Sequence, residues 1–223
     1  MADLSDLDME NVLQIDIVSD VVCPWCIVGF KQLEAAIAQT GVSAVVKWHP
    51  FELNPDMPDE GENLREHIMR KYGTSREQSE EARARLTEIG SGLGFEFRFT
   101  DDMRMVNTFK AHQLIHWAAS EGKEHALKMA LFNAYFQDRK NLNEEDILAD
   151  VAASVDLDRT EALKVLEDGR YADQVRQEET FWTQNGIHGV PAVIFERRHL
   201  ASGAQGVDNY ASIIRQLTQG EAA

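Results

Sequence analysis

The sequence predicts an α/β fold in which a long all-helical insertion interrupts a core built around a sheet. Three observations carry this. A strand–helix–strand pattern fills the chain up to residue 50. From about residue 63 to 185 the spacing is helical, with almost no strand signal. Strand character then returns, followed by one closing helix.

Residues 12–18, VLQIDIV, alternate and are rich in β-branched side chains, the pattern of a strand. Residues 19–22 break it. Cys23 opens a helix whose Ile27, Phe30, Leu33 and Ile37 share a face. Pro24 suits the first helical position, where a missing N–H costs nothing, and Gly41 suits the helix stop. Residues 42–48 read as a second strand, stopped by Pro50. In the middle segment Ser75 and Gln78 form a capping-box pattern ahead of a long charged helix. Further helices are expected over 108–121, with Gly122 as the stop, and over 126–136. Another should hold Ile147, Leu148, Val151 and Val155 behind an Asn143 cap. Leu163 and Leu166 mark a further helix, and 175–182 a last one closed by Gly186. Residues 96–105 read as a loop. Residues 192–195 and 199–202 then form a strand pair around a turn at 197–198, and a final helix carries Val207, Tyr210, Ile213, Ile214 and Leu217.

Joined end to end, the outer pieces have the layout of a thioredoxin-like fold. The expected core covers residues 10–60 and 180–219, and the helical insertion residues 61–179.

The chain has 223 residues, 43% of them hydrophobic, enough for a buried core. No apolar run approaches the ~18 residues needed to cross a bilayer. Residues 1–11 are acidic and lack the basic start and apolar stretch of a secretory signal, so a cytoplasmic location is expected. The formal charge of −16 repels phosphate backbones and anionic lipid, which argues against nucleic acid or a membrane as partner. Only two cysteines occur, both in Cys23-Pro24-Trp25-Cys26. In a reducing compartment such a pair reads as redox-active or metal-binding rather than as a permanent staple.

The thiol nearer the helix start meets unpaired backbone N–H groups and the positive end of the helix dipole, which favour the thiolate. Thiolate is the attacking species in disulfide exchange. Cys23 is therefore the expected nucleophile. Cys26, one turn deeper, is the expected resolving thiol. Pro24 and Trp25 bring no cation near the sulfur and the overall charge opposes an anion, so the activation should be moderate. The alternative is half a zinc site, completed by His112 and His116 on one helix face. Their distance along the chain far exceeds the ~12–15 positions of a compact finger, and no metal is expected. Gly189-Val190-Pro191 stands just before the late strand, where a thioredoxin-type domain carries a cis-proline facing the disulfide. Pro191 would leave the Val190 backbone free to pair with a substrate strand.

The stretches Asp20-Val21-Val22-Cys23-Pro24-Trp25-Cys26-x-x-Gly29 and Pro50-Phe51-Glu52-Leu53-Asn54-Pro55 carry a family resemblance. So do Asn107-Thr108-x-x-Ala111-His112-x-Leu114 and Leu131-Phe132-x-Ala134-Tyr135-Phe136. Gly186-Ile187-x-Gly189-Val190-Pro191 and Ser202-Gly203-Ala204-Gln205 complete the set. Together they resemble the DsbA-like thioredoxin family, in its FrnE-like branch, related to the 2-hydroxychromene-2-carboxylate isomerases. The resemblance implies dithiol–disulfide chemistry at Cys23 and Cys26 with Pro191 as the cis-proline. It places Pro24, Trp25 and Val190 beside the substrate, with Asn54, Asn107 and His112 pointing into the cleft between core and helices. The related isomerases and kappa-class glutathione transferases generally use serine at the first active position, whereas this chain keeps both cysteines. The second cysteine pair of some FrnE-like proteins is missing.

Three readings follow. The first is a thiol–disulfide oxidoreductase or isomerase acting on a protein or small-molecule thiol or disulfide, with no bound cofactor. The second is a glutathione-dependent isomerase or transferase on a small aromatic or polyketide-type substrate, with glutathione as co-substrate. The third is a non-catalytic binding module using the groove around Trp25 and Pro191. A homodimer is in keeping with the superfamily.

Overall fold

The computed structural model describes residues 12–219; residues 1–11, where the absence of a secretory signal was the expectation, and residues 220–223 lie outside them. The central strand β1 (Leu13–Ser19) buries every side chain but Gln14, as a strand covered on both faces requires. The helix α1 (Pro24–Thr40) ends at Gly41, whose φ of 68° is left-handed and lets its N–H close on Ile37 O. The strand β2 (Ala44–Pro50) then runs parallel to β1, with Ile17 opposite Trp48. After the insertion, β5 (Ala192–Phe195) pairs antiparallel with β1, and β6 (His199–Ser202) pairs with β5. The sheet order is β2-β1-β5-β6. The closing helix α9 (Val207–Gln219) packs against α1.

Between these halves come β3 (Glu62–Asn63), α2 (Leu64–Tyr72), α3 (Arg76–Gly92), β4 (Arg104–Met105) and α4 (Phe109–Ser120). Next follow α5 (Glu124–Phe136), α6 (Glu145–Ala153), α7 (Arg159–Asp168) and α8 (Ala172–Gln184). The result is the expected thioredoxin-like α/β core with a helical insertion, in which the β3–β4 ladder is the one stretch of sheet among the described residues. The insertion is not a separate globule: Ile15, Phe30 and Trp48 of the core share one buried cluster with Leu127, Phe132 and Phe136 of α5. Each such side chain contributes ~1.5–3 kcal/mol on burial, so core and insertion are held together by one hydrophobic interior. Among the described residues no helix is long and apolar enough to cross a membrane.

Three local expectations change. Pro50 does not stop β2 but closes it opposite Ser19. As an edge strand, β2 tolerates a residue without an N–H. Residues 104–105, expected in a loop, form a two-residue ladder with β3. Asn143 does not cap α6; Glu144 stands at the N-cap, while the Asn143 amide donates to Asp59 O at 2.6 Å. The Ser75–Gln78 capping box is present, with both reciprocal bonds.

Candidate active site

The site is built at the junction of β1 and α1. Asp20 O accepts from Cys23 N at 3.2 Å, turning the chain out of the sheet, and Cys23 O accepts from Cys26 N at 3.1 Å. Cys23 is the helix N-cap, with extended φ −89° and ψ 111° and Pro24 behind it. No side chain caps the first N–H groups, so they remain directed toward the thiol end of the helix. Both cysteines are free thiols, and both are buried, Cys23 at 4% and Cys26 at 0% exposure.

The Val190–Pro191 peptide is cis. It brings the Val190 carbonyl to 3.8 Å from Cys23 Sγ, within reach of the S–H donor. The close approach of this loop to α1 depends on Gly29: a Cβ there would meet Pro191 Cγ at 3.1 Å. A methyl group there would press on the proline ring, which would have to give by a few tenths of an ångström.

A cleft of about 420 Å³ opens beside Cys23 between the core and helices α2 and α3. Cys23, Pro24, Trp25, Asn54 and Val190 all line it. Its far wall is apolar, formed by Ile68, Leu86, Phe99 and Phe136, with Tyr72 and Lys71 toward the rim. Tyr72 is 59% exposed. Lys71 Nζ donates to Leu53 O at 2.8 Å and Asn54 Oδ1 at 2.7 Å, fixing the Asn54 side chain.

Cys26 lines no part of this cleft. Burial, and then contact with the Cys23 thiol, push its thiol well above the ordinary range, against the pull of the Asp20 backbone and of Lys128. Lys128, on α5, is itself 1% exposed. Its Nζ donates to Ser19 O at 3.4 Å and sits over the rings of Trp48 and Phe132, 5.3 and 5.2 Å from their centres. Burial holds this amine down to about 8, against the charges of Cys26 and Asp20. Burial alone would raise Asp20, but His112, the Leu53 N–H and Lys128 outweigh it and keep the carboxyl below its ordinary value. Leu53 N donates to Asp20 Oδ2 at 2.8 Å.

The structure does not bring His112 and Asn107 to the cleft. His112 is buried behind the sheet junction, its Nε2 3.1 Å from Phe51 O and 3.3 Å from Asp20 Oδ1. Asn107 serves the start of α4: its Oδ1 accepts from Phe109 N at 2.9 Å, and its amide reaches Pro55 O. Nor do His112 and His116 complete a metal set with the cysteines, because His116 Nδ1 pairs with Glu178 Oε1 at 3.2 Å. Among the described residues no group of three or more His, Cys, Asp or Glu side chains is arranged to hold a metal ion. Lys128, Lys71 and Tyr72 were not singled out from the sequence. For Lys128 there was a signal: it shares a helix face with Leu131, Phe132 and Tyr135, a lone cation on an apolar stripe.

A buried thiol pair at a helix start on this architecture defines a class, and comparison with known proteins gives the family. Residues 14–215 match the DSBA-like thioredoxin domain, and the chain belongs to that family. It is similar to a probable DsbA oxidoreductase of Streptomyces coelicolor, with a TM-score of 0.87 and 31% identity covering 94% of this chain and 91% of that one. The uncharacterized protein YwbO of Bacillus subtilis is 29% identical over 91% of this chain and 96% of its own. The cytosolic disulfide reductase DsbM of Pseudomonas aeruginosa, solved with glutathione, shares the fold at a TM-score of 0.62 and 14% identity, over 93% of this chain and all of that one. The DsbA-like fold and the closely spaced cysteine pair are consistent with thiol–disulfide chemistry.

Proposed function

We propose that the chain is a dithiol oxidoreductase in which Cys23 attacks the substrate disulfide and Cys26 resolves the mixed disulfide. In the first step the Cys23 thiolate bonds to one substrate sulfur and the other leaves as thiolate. In the second, the Cys26 thiolate bonds to Cys23 Sγ and the remaining substrate sulfur departs with the electron pair. Run in reverse, the same steps oxidise a substrate dithiol, and stopping after the first permits isomerisation. The observation that carries this reading is the unequal placement of the two thiols. Cys23 lines the cleft beside the cis peptide at Val190–Pro191, and Cys26 is sealed behind it. Pro191 presents the Val190 backbone to an extended substrate segment, while Pro24, Trp25 and Asn54 form the near wall of the cleft. Two cysteines, where the related isomerases carry serine at the first position, favour the FrnE-like branch. A thiol or disulfide in the cytoplasm is the partner this chemistry suits.

The test is insulin reduction by dithiothreitol with the wild type, Cys23→Ser and Cys26→Ala. Loss of turnover in Cys23→Ser, with a trapped mixed disulfide in Cys26→Ala, supports the proposal. Equal background turnover in wild type and Cys23→Ser refutes it. A second reading takes glutathione as co-substrate, favoured by a cleft of about 420 Å³ with Lys71 at its rim. Glutathione-dependent turnover that survives Cys26→Ala would select it.

A further inference from the structure

The segment after β2 forms part of the cleft wall through Leu53 and Asn54. Glu52, one residue earlier, lines a different cavity, of about 590 Å³, between this segment and α8. Its side chain is 2% exposed, and that of Glu179 on α8 is 15% exposed. The two carboxylates converge on a single nitrogen: Arg176 Nη1 donates to Glu52 Oε1 and, at 2.9 Å, to Glu179 Oε2. The guanidinium is held over the Phe109 ring, 3.7 Å from its centre. Each carboxylate keeps one buried oxygen, Glu52 Oε2 and Glu179 Oε1, that accepts no hydrogen bond from the described residues. Thr180 and Thr183 line the same cavity, but their hydroxyls are spent on Arg176 O at 2.7 Å and Glu179 O at 2.8 Å. Two buried carboxylates that share one cation resist ionising together, and such pairs settle by holding one proton between them.

We propose that Glu52 and Glu179 share one proton in a clasp that ties the cleft wall to α8, and that losing this proton as pH rises weakens substrate binding. Glu52 is then a positioning residue, acting through Leu53 and Asn54 rather than on the substrate itself. The effect on substrate rests on the oxidoreductase reading, whereas the shared proton does not. In the closed clasp the Glu52 carboxyl donates to Glu179, and Arg176 balances the one remaining charge. When the proton leaves to solvent through the cavity, two carboxylates face that single guanidinium and repel each other across the junction.

The other charged groups around the pair do not relieve it. His112 of α4 faces Glu52, but its Nε2 already serves Phe51 O and Asp20. Asp20 faces Glu179 and adds a further negative charge. Burial raises Glu52 to about 7, helped by the Glu179 charge and opposed by Arg176 and His112. Burial raises Glu179 as well, against Arg176 and the hydrogen bond from Glu52. A carboxyl raised from 4.5 holds its proton more tightly in the folded chain than in the unfolded one. Its contribution to stability is therefore full below 4.5 and is lost as pH rises through about 7.

Glu52→Gln keeps the shape and the donor of the acid form but has no proton to lose. Relative to this variant, the wild-type unfolding constant in urea should grow on the order of 10²-fold from pH 4.5 to above 7, then level off. The KM for insulin should match in the two proteins at about pH 6 and be several-fold higher in wild type at about pH 8, with kcat changing far less. Infrared difference spectra of the wild type need no variant to fold. A protonated-carboxyl band should be present at about pH 6 and bleach with a midpoint near 7. Glu179→Gln, which leaves Glu52 alone with Arg176, should lose that band. No such band in wild type, unfolding constants that run parallel at every pH, or equal KM values at about pH 8 would each overturn the proposal. A wild type that never turns over insulin would remove the oxidoreductase reading, and the band and the unfolding constant would still decide the shared proton.

Discussion

The two sides of the dithiol are built from different materials. On the Cys23 side lies an open cleft with apolar walls, and the cations near it, Lys71 and Arg83, are tied to backbone carbonyls. On the Cys26 side are a buried lysine, a buried aspartate and a smaller cavity at which His49, His116 and Glu178 meet. The insertion supplies both, α2 and α3 the first and α4, α5 and α8 the second. A helical insertion in this fold therefore does more than cover the thiols. It borders the open cleft beside Cys23 and sets buried charged groups behind the dithiol. Charges on the sealed side are buried and paired, whereas the open side offers apolar walls and the exposed Tyr72.

If that contrast holds, the largest loss of stability comes from the sealed side. Asp20→Ala leaves the Leu53 N–H and the His112 ring without the buried carboxylate they face, and should cost about 3–5 kcal/mol in urea unfolding, as when one partner of a buried, hydrogen-bonded charge is removed. A cost below about 1 kcal/mol, the worth of a surface pair, would place Asp20 in effectively aqueous surroundings.

Glu178 comes next. Its carboxyl is held at about 2: burial opposes this, and the bonds to His116 and His49 override it. His49 is raised despite burial by Asp16 and Glu178. The depressed carboxyl contributes stability above its ordinary 4.5 that is lost as pH falls toward 2. The raised imidazole contributes below its ordinary 6.5, and that share is lost as pH rises through its folded value. The gap between wild type and Glu178→Gln should thus be widest between pH 4.5 and 6.5, at ~2 kcal/mol for charged hydrogen bonds, and narrow on both sides. A gap independent of pH would mean the bridge is not ionic.

Between the two sides stands Gly29. Adding a methyl group forces Pro191 to yield by a few tenths of an ångström. Gly29→Ala should cost about 1 kcal/mol, the lower end for overpacking, and slow turnover as the Val190 carbonyl moves from Cys23. Unchanged turnover would show that the approach has slack. The smallest stability effect belongs to the open side. Tyr72→Ala should leave unfolding within about 0.5 kcal/mol of wild type while raising KM several-fold. An unchanged KM would show that the substrate does not use the α2 rim.

The sequence made the parts nearest the thiols readable. The alternation of β1, the Cys23–Pro24 helix start, the Gly41 stop and the β5–β6 pair each depend on local chemistry, and each was expected within a residue or two. The thioredoxin-like architecture followed from their order. Long-range choices were not readable. The Asp16–His49–Glu178–His116 chain joins two strands and two helices far apart in sequence, and no local pattern marks it. Asn143 has capping chemistry, but tertiary geometry gave it to Asp59, whereas Asn107 spends its side-chain oxygen locally on the Phe109 N–H at the start of α4. His112 had the residue type of a cleft group, yet α4 turns its ring toward Phe51 and Asp20. The α2 helix is short and carries few apolar residues, so its periodicity was too weak to reveal the Tyr72 and Lys71 rim.

The unequal access of the two sulfurs is open to direct measurement by brief iodoacetamide labelling of the fully reduced protein under native conditions, followed by peptide mass mapping. The carbamidomethyl group should appear on Cys23 alone, with Cys26 modified only after unfolding. Labelling of Cys26 at the same rate as Cys23, or ahead of it, would contradict the division of roles.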